Sequence, residues 1–357
     1  MTLFPIAVSL LPTSSRALAF LVPFAMVGIF MRIFTDTNTA FLIMGSTIFI
    51  SSLALVDPFE FIIVNFSSGV AAIYALHDLQ QRSQLFQTAV IATAVSVLTA
   101  MAFDFAQGME IKSLDNMLYV YLFINGIFLL FSYPLLYLVE KLFGFVSSVT
   151  LIELSNINNP LLRRLSKEAA GTFNHSMQVA NLAADAASKI GAKVLLVRTG
   201  AMYHDIGKLK NPAFFTENQS GVNPHDQLSP EGSARIIISH VPEGLKLAEK
   251  NHLPSAVKSF ISTHHGRSKA KYFYITWQNA HPGEKPDEDV FTYPGPNPST
   301  REQAILMMAD SVEAASRSLK EYSDESISEL VNRIIDTQIK EGYFRKCPIT
   351  FDDIDKT

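Results

Sequence analysis

The sequence predicts an all-α protein in two parts: a polytopic helical membrane region followed by a cytoplasmic, all-helical domain. Three observations predict it. Residues 1–150 hold 13 of the Asp, Glu, Lys and Arg side chains, while residues 151–357 hold 49 of them and eight of the nine histidines. Five apolar runs fill the first part, each near the roughly 20 residues that a helix needs to cross a bilayer. In the second part apolar residues recur at i, i+3, i+4 and i+7, the period of an amphipathic helix.

The runs cover residues 17–34, 40–56, 60–76, 86–106 and 117–139. Five in succession exceed any ordinary soluble core. Residues 1–15 lack the basic start of a cleavable signal, so the first run is expected to stay as a span. Arg32, Arg82 and Lys141 follow runs one, three and five. Asp57 and Glu60 follow run two, and Glu110 and Asp115 outnumber Lys112 after run four. Basic loops alternate with acidic ones, although Arg16 runs against the pattern. Positive loops stay inside, which puts the N-terminus outside and residues beyond about 140 in the cytoplasm of a multi-pass inner-membrane protein. Asp104 and His77 lie near run ends, and no paired charges mark a transport path in mid-span.

The expected divisions are 1–145 for the membrane region, 146–172 for a juxtamembrane coupling helix, 173–345 for the water-facing domain and 346–357 for a tail. Asn158, Asn159 and Pro160 start a helix with Leu161, Leu162 and Leu165 on one face. Arg163, Arg164 and Lys167 line the other, either solvated or against anionic headgroups. "HSMQVANLAADAASKIGA" is helical up to Gly191. "VLLVRTGAMYHDIG" follows, then "SPEGSARIIISHV" with Ser229 as cap and Pro230 at the first helical position. "PSAVKSFISTHHG", "TREQAILMMADSVEAASRSLKEY" and "SISELVNRIIDTQIKEGY" complete the helices. Residues 266–300 are expected to be irregular, and no segment patterns as a strand.

Net charge of −4 excludes a basic nucleic-acid-coating module, so no nucleic-acid polymer is an expected partner. The single cysteine, Cys347, excludes an intrachain disulfide and a cysteine metal site. The metal-competent residues are more telling. His175 is at the start of one helix, His204 and Asp205 end the next, His240 closes "RIIISH", the pair His264-His265 closes "FISTHH", and Asp310 lies inside "MMADSVEAA". One buried histidine is ordinarily a core residue; seven such positions beside apolar faces of successive helices point to a common centre. Imidazole and carboxylate suit Mn, Fe or Zn. Five imidazoles and two carboxylates are too many for one ion and enough for two, if one carboxylate bridges. A metal pair about 4 Å apart is a frequent arrangement for phosphodiester hydrolysis. Lys208, one turn from His204, adds positive charge for a phosphate.

His175, His204-Asp205 and Asp310 form an H…HD…D pattern that resembles the HD-domain metal phosphohydrolases. The wider wording, "GTFNHSMQVANLA", "GAMYHDIGKLKNPAFFTENQ", "NPHDQLSPEGSARIIISHV", "STHHG" and "ILMMADSVEAASRSL", resembles the seven-transmembrane HD, or PgpH-type, family over about residues 155–345. That resemblance implies a cytoplasmic phosphodiesterase that opens cyclic di-AMP to linear pApA, with two divalent ions, Mn or Fe foremost. By matched position, His175, His204, Asp205 and Asp310 would hold one ion, and Asp205, His240, His264 and His265 the other. Asp205 and Lys208 are the expected catalytic residues. Lys208, Arg267, Tyr272 and Tyr274 are candidate substrate contacts. The partners implied are a cyclic dinucleotide and the bilayer; a homodimer and an extracytoplasmic ligand stay open.

The sequence also departs from the family, which has seven spans and a large extracytoplasmic domain where five runs are visible here. "HHG" lacks the GYP extension of the cyclic di-GMP branch, which argues against that substrate. Rival expectations are a hydrolase of another cyclic dinucleotide, a linear dinucleotide or an alarmone, and a receptor or transporter with a regulatory nucleotide-binding domain. Glu313 and Arg317 pair as i, i+4 surface support. His225 is expected in a loop role, and His252 and His281 are expected to be exposed.

Overall fold

The computed structural model describes residues 3–11, 16–56, 58–76 and 83–357. Asp57, His77 and Arg82 therefore lie outside the described residues. The chain forms two compact units, residues 1–150 and 151–357.

The first unit contains α1 (Leu3–Ser9), α2 (Phe24–Phe34), α3 (Thr37–Ser52), α4 (Pro58–Ala75), α5 (Ser83–Ala106), α6 (Asn116–Leu130) and α7 (Ser132–Phe143), and α8 (Ser148–Leu154) runs across the boundary at residue 150. Among the described residues, three stretches are long and apolar enough to cross a membrane: Ala17–Phe34, Pro58–Ala75 and Ser83–Ala106. The fifth run is a bent pair, α6 and α7, meeting at 41°. The second run folds as α3, whose 16 residues fall short of a full crossing. The first run is interrupted before α2, where Pro23 follows a 3-10 turn, Arg16–Leu21. Asn125 Nδ2 donates to the carbonyls of Phe20 and Val22 at 2.7 and 3.0 Å. Apolar surroundings offer no water to carbonyls at the break, so the amide from α6 serves them, beside the Phe24 amide that also bonds Val22 at 2.9 Å. Asp104 is buried and accepts from the Tyr119 hydroxyl at 2.6 Å.

The second unit is built from α9 (Pro160–Glu168), α10 (Ala170–Lys189), α11 (Val194–Tyr203), α12 (Pro230–Lys250), α13 (Ser255–Thr263), α14 (Lys271–Ala280), α15 (Glu288–Phe291), α16 (Arg301–Ser316), α17 (Asp324–Lys340) and α18 (Phe351–Lys356). Its caps follow the sequence. Asn159 accepts from the Leu161 amide and Ser229 from the Gly232 amide, each just before a proline at the helix start. Leu161, Leu162 and Leu165 are buried. On α10 the buried residues Ala180, Ala183, Ala184 and Ala187 leave no bulk, and α11 and α16 both pack closely on it.

Two differences from the sequence expectation stand out. Residues 266–300 are not irregular throughout: α14 and α15 bury Trp277 and Phe291 in a satellite core. Among the described residues the only β-type pairing is one antiparallel bridge, Lys269 with Thr292. Within 346–357, α18 is anchored by Asp353, which pairs with Arg301 at 3.0 Å.

Candidate metal centre

Five elements of the second unit deliver side chains to one buried point. His175 comes from α10, His204 and Asp205 from the end of α11, His240 from the middle of α12, His264 and His265 from the end of α13, and Asp310 from α16. The short turn after α11 matters for the approach. A Cβ on Gly207 would lie 1.8 Å from the His240 carbonyl oxygen and 2.5 Å from the Gly244 nitrogen. Only glycine lets this turn sit against α12, and that contact brings Asp205 to His240.

Asp205 sits at the centre with its two oxygens facing different clusters. Oδ2 lies 3.2 Å from His204 Nε2 and 3.5 Å from His175 Nε2. Oδ1 lies 3.4 Å from His240 Nε2 and 3.6 Å from His264 Nε2. Asp310 Oδ1 closes the first cluster, 3.0 Å from His175 Nε2 and 3.5 Å from His204 Nε2. In the second, His240 Nε2 and His264 Nε2 are 3.1 Å apart. His265 approaches Asp310 Oδ2 at 4.0 Å and is the most exposed of the set.

These residues fit metal ions. Donor atoms about 2.1 Å from one ion, at right or tetrahedral angles, stand roughly 3.0–3.4 Å from each other. The observed separations are close to that spacing. His204, His240 and His264 hydrogen-bond through Nδ1 to the carbonyls of Ala201, Ile237 and Ile261 at 2.6, 2.6 and 2.9 Å. With Nδ1–H donating outward, each Nε2 lone pair points at the centre. Two such lone pairs 3.1 Å apart repel unless a cation lies between them. His204 Nε2 and Asp205 Oδ1 are buried without a hydrogen-bond partner, although buried polar atoms nearly always have one.

The electrostatics agree. Burial works against charge on His175, but its bonds to Asp310 and Glu313 prevail and raise its pKa to about 9. His204 is likewise raised to about 10, against its burial, chiefly by Asp205. Burial drives His240 down to about 3 and His265 well below its ordinary value. Asp205 and Asp310 are held well below the carboxylate range despite burial, by His204 and Lys208 for the one and by His175 and His204 for the other. Without ions, protons on two histidines supply the positive charge that the carboxylates demand.

Lys208 Nζ bonds Asp205 Oδ2 at 2.7 Å and Glu217 Oε1 at 2.8 Å. It lies 4.9 Å from the centre of the Phe215 ring. Its neighbour Glu217 was not foreseen; Thr172 also donates to it, at 3.0 Å. Glu313 is the clearer miss. Instead of supporting the surface it is buried and meets His175 Nδ1, while Arg317 grips both its oxygens. Tyr293, from the loop after α15, is buried with its ring 4.2 Å from that of His265. Glu217 and Tyr293 carry no spacing toward the ligands, and Glu313, three residues after Asp310, reads in sequence as the partner of Arg317 alone.

The remaining candidates are scattered. Tyr272 is exposed at a cavity of about 560 Å³ that Phe214, Phe215, Glu217, His225 and Ile237 also line. Arg267 is exposed, and its amide is bonded to Asn297 Oδ1 at 2.8 Å. Tyr274 is turned away: Lys269 lies over its ring at 4.5 Å and Phe291 packs on it. His225 bonds the Phe214 carbonyl at 2.9 Å, in keeping with a loop role. His252 is exposed, whereas His281 is half-buried, stacked on Trp277 at 4.4 Å.

Comparison with known proteins agrees with this picture. The family profile described as "7TM receptor with intracellular HD hydrolase" matches residues 1–147, and the "HD domain" profile matches residues 172–315. The Cyclic-di-AMP phosphodiesterase PgpH of Listeria monocytogenes is 37% identical over 346 residues, 94% of this chain and 47% of that protein. The Bacillus subtilis protein of the same name is 35% identical over 350 residues, 95% of this chain and 48% of that protein. The chain thus spans about half the length of the curated relatives it matches. A crystal structure of the L. monocytogenes PgpH HD domain in complex with Cyclic-di-AMP superimposes with a TM-score of 0.53 at 44% identity, covering 56% of this chain and 91% of that one. The chain belongs to the family of seven-transmembrane proteins with an intracellular HD hydrolase domain.

Proposed function

We propose that the chain is a membrane-anchored, metal-dependent phosphodiesterase that hydrolyses cyclic di-AMP to linear pApA at the cytoplasmic face of the inner membrane. The observation that carries the proposal is the division of Asp205, one oxygen toward each histidine cluster. Relatives at 35–37% identity are named for this activity. The orientation follows from the charges flanking the apolar helices, Arg32 and Lys141 against Glu60, Glu110 and Asp115.

His175, His204, Asp205 and Asp310 would hold one ion, and Asp205, His240, His264 and His265 would hold the other. The donor set suits Mn or Fe. When bound, such a pair supplies an acidified water and positive charge for phosphoryl oxygens. The chain does the rest. Lys208 has three donors, two of them spent on Asp205 and Glu217, which leaves one for a phosphoryl oxygen. Asp205, clamped by Lys208, keeps the two donor clusters in register. Water oxygen bonds to phosphorus and gives up one proton, the bond from phosphorus to the ribose 3′-oxygen breaks, and that oxygen takes up one proton from solvent, leaving a 5′-phosphate and a 3′-hydroxyl. The cavity beside Phe215 and Tyr272 accepts a nucleoside, with Arg267 available to the second phosphate.

The test is product analysis with the full-length chain in detergent. Cyclic di-AMP is converted to pApA with Mn²⁺, conversion stops with a chelator and returns when Mn²⁺ is restored. Undiminished turnover after the chelator has removed all metal would sink the proposal.

A further inference from the structure

We infer that Glu313, gripped by Arg317, is a positioning residue that makes the Asp310 side of the centre the tighter of two metal positions, so that the ions load in order. The inference rests on the dinuclear reading above. His204, His240 and His264 are all oriented in the same way, through Nδ1 to a neutral main-chain carbonyl three residues back. His175 is different: its Nδ1 meets the Glu313 carboxylate. A charged acceptor makes the stronger bond. It also fixes the tautomer and raises the basicity of the opposite nitrogen toward a metal.

Glu313 is built for this position. It lies three residues after Asp310 on α16, on the same helix face, and its side chain is 9% exposed. Arg317 Nε and Nη2 reach its two oxygens at 2.7–3.2 Å from a position that is 41% exposed. The carboxylate is thereby kept ionised and aimed, with Oε2 on His175. The chain Arg317, Glu313, His175 ends at the centre.

Charge separates the two positions. Around His175 and His204 stand Asp205 Oδ2 and Asp310 Oδ1, with Glu313 behind. Among the described residues, the carboxylate oxygen near His240 and His264 is Asp205 Oδ1 at 3.4–3.6 Å, and His265 reaches Asp310 Oδ2 no closer than 4.0 Å. A divalent cation is favoured where more negative charge is held in place.

The experiment is a Mn²⁺ titration of the metal-free, full-length chain in detergent, with free Mn²⁺ followed by electron paramagnetic resonance. Wild type takes two equivalents in separate steps; His265→Ala removes the weaker step and His175→Ala the tighter. Glu313→Gln keeps shape but not charge, and weakens the tighter step by about 10–100-fold with the weaker step unchanged. Arg317→Gln gives a smaller loss at the same step. Superimposable titrations of wild type and Glu313→Gln, or equal losses at both steps, overturn the inference. Fewer than two equivalents in wild type overturns instead the dinuclear reading on which it stands. Should Glu313→Gln fail to fold by circular dichroism, Arg317→Gln decides: an unchanged tighter step overturns the inference.

Discussion

Asp205 is the residue on which the centre turns, because each of its oxygens serves a different set of imidazoles. Asp205→Asn leaves the shape and removes the charge, and is expected to abolish turnover and weaken both Mn²⁺ steps in the same titration. Lys208 is a different case. Lys208→Met takes one positive charge from beside the Asp205 carboxylate and the proposed phosphoryl site, and is expected to lower kcat by roughly 10²-fold with two Mn²⁺ still bound. A Lys208→Met variant with unchanged kcat would show that the lysine only buttresses Asp205. The candidate donors were legible in the sequence because each sits at a helix end or on an apolar helix face, where an ionisable group needs a reason. Their supports were not legible. Glu313 is 138 residues from His175 and Glu217 is 45 from Thr172; such partners carry no local spacing.

At the scale of elements, the centre depends on how closely helices approach. Gly207→Ala would force the turn off α12, since its new methyl meets backbone that cannot rotate away. The expected cost is about 2–3 kcal/mol, read as a fall in the unfolding midpoint of the second unit on the order of 4–12 °C. In the membrane unit, Asn125→Leu removes the amide that bonds the Phe20 and Val22 carbonyls, and Val22 keeps the Phe24 amide at 2.9 Å. A loss of about 1 kcal/mol is expected in a denaturing-detergent titration. Helix starts were readable from Asn159-Pro160 and Ser229-Pro230, where the cap chemistry is local. α14 was not readable. "KYFYITWQNA" is rich in aromatic and β-branched residues, poor helix formers, and the side chain of its N-cap residue, Ala270, makes no capping bond. Burial of Trp277 against Phe291 and Ala234 overrides that preference.

For the whole molecule, the division into an apolar and a polar unit was legible from charge alone, and its boundary near residue 150 follows the change of solvent. The layout of the apolar unit was harder to read. Hydropathy registers apolar length, but the break at Pro23 and the 41° bend between α6 and α7 depend on backbone geometry that composition does not carry. The central claim joins that membrane unit to a phosphodiesterase. It is tested most directly by offering the full-length chain, loaded with Mn²⁺, cyclic di-AMP, cyclic di-GMP and a guanosine tetraphosphate side by side, with Asp205→Ala in parallel. Preferential release of pApA from cyclic di-AMP, lost in Asp205→Ala, is the predicted result. Two bound ions with no turnover of cyclic di-AMP would contradict the account.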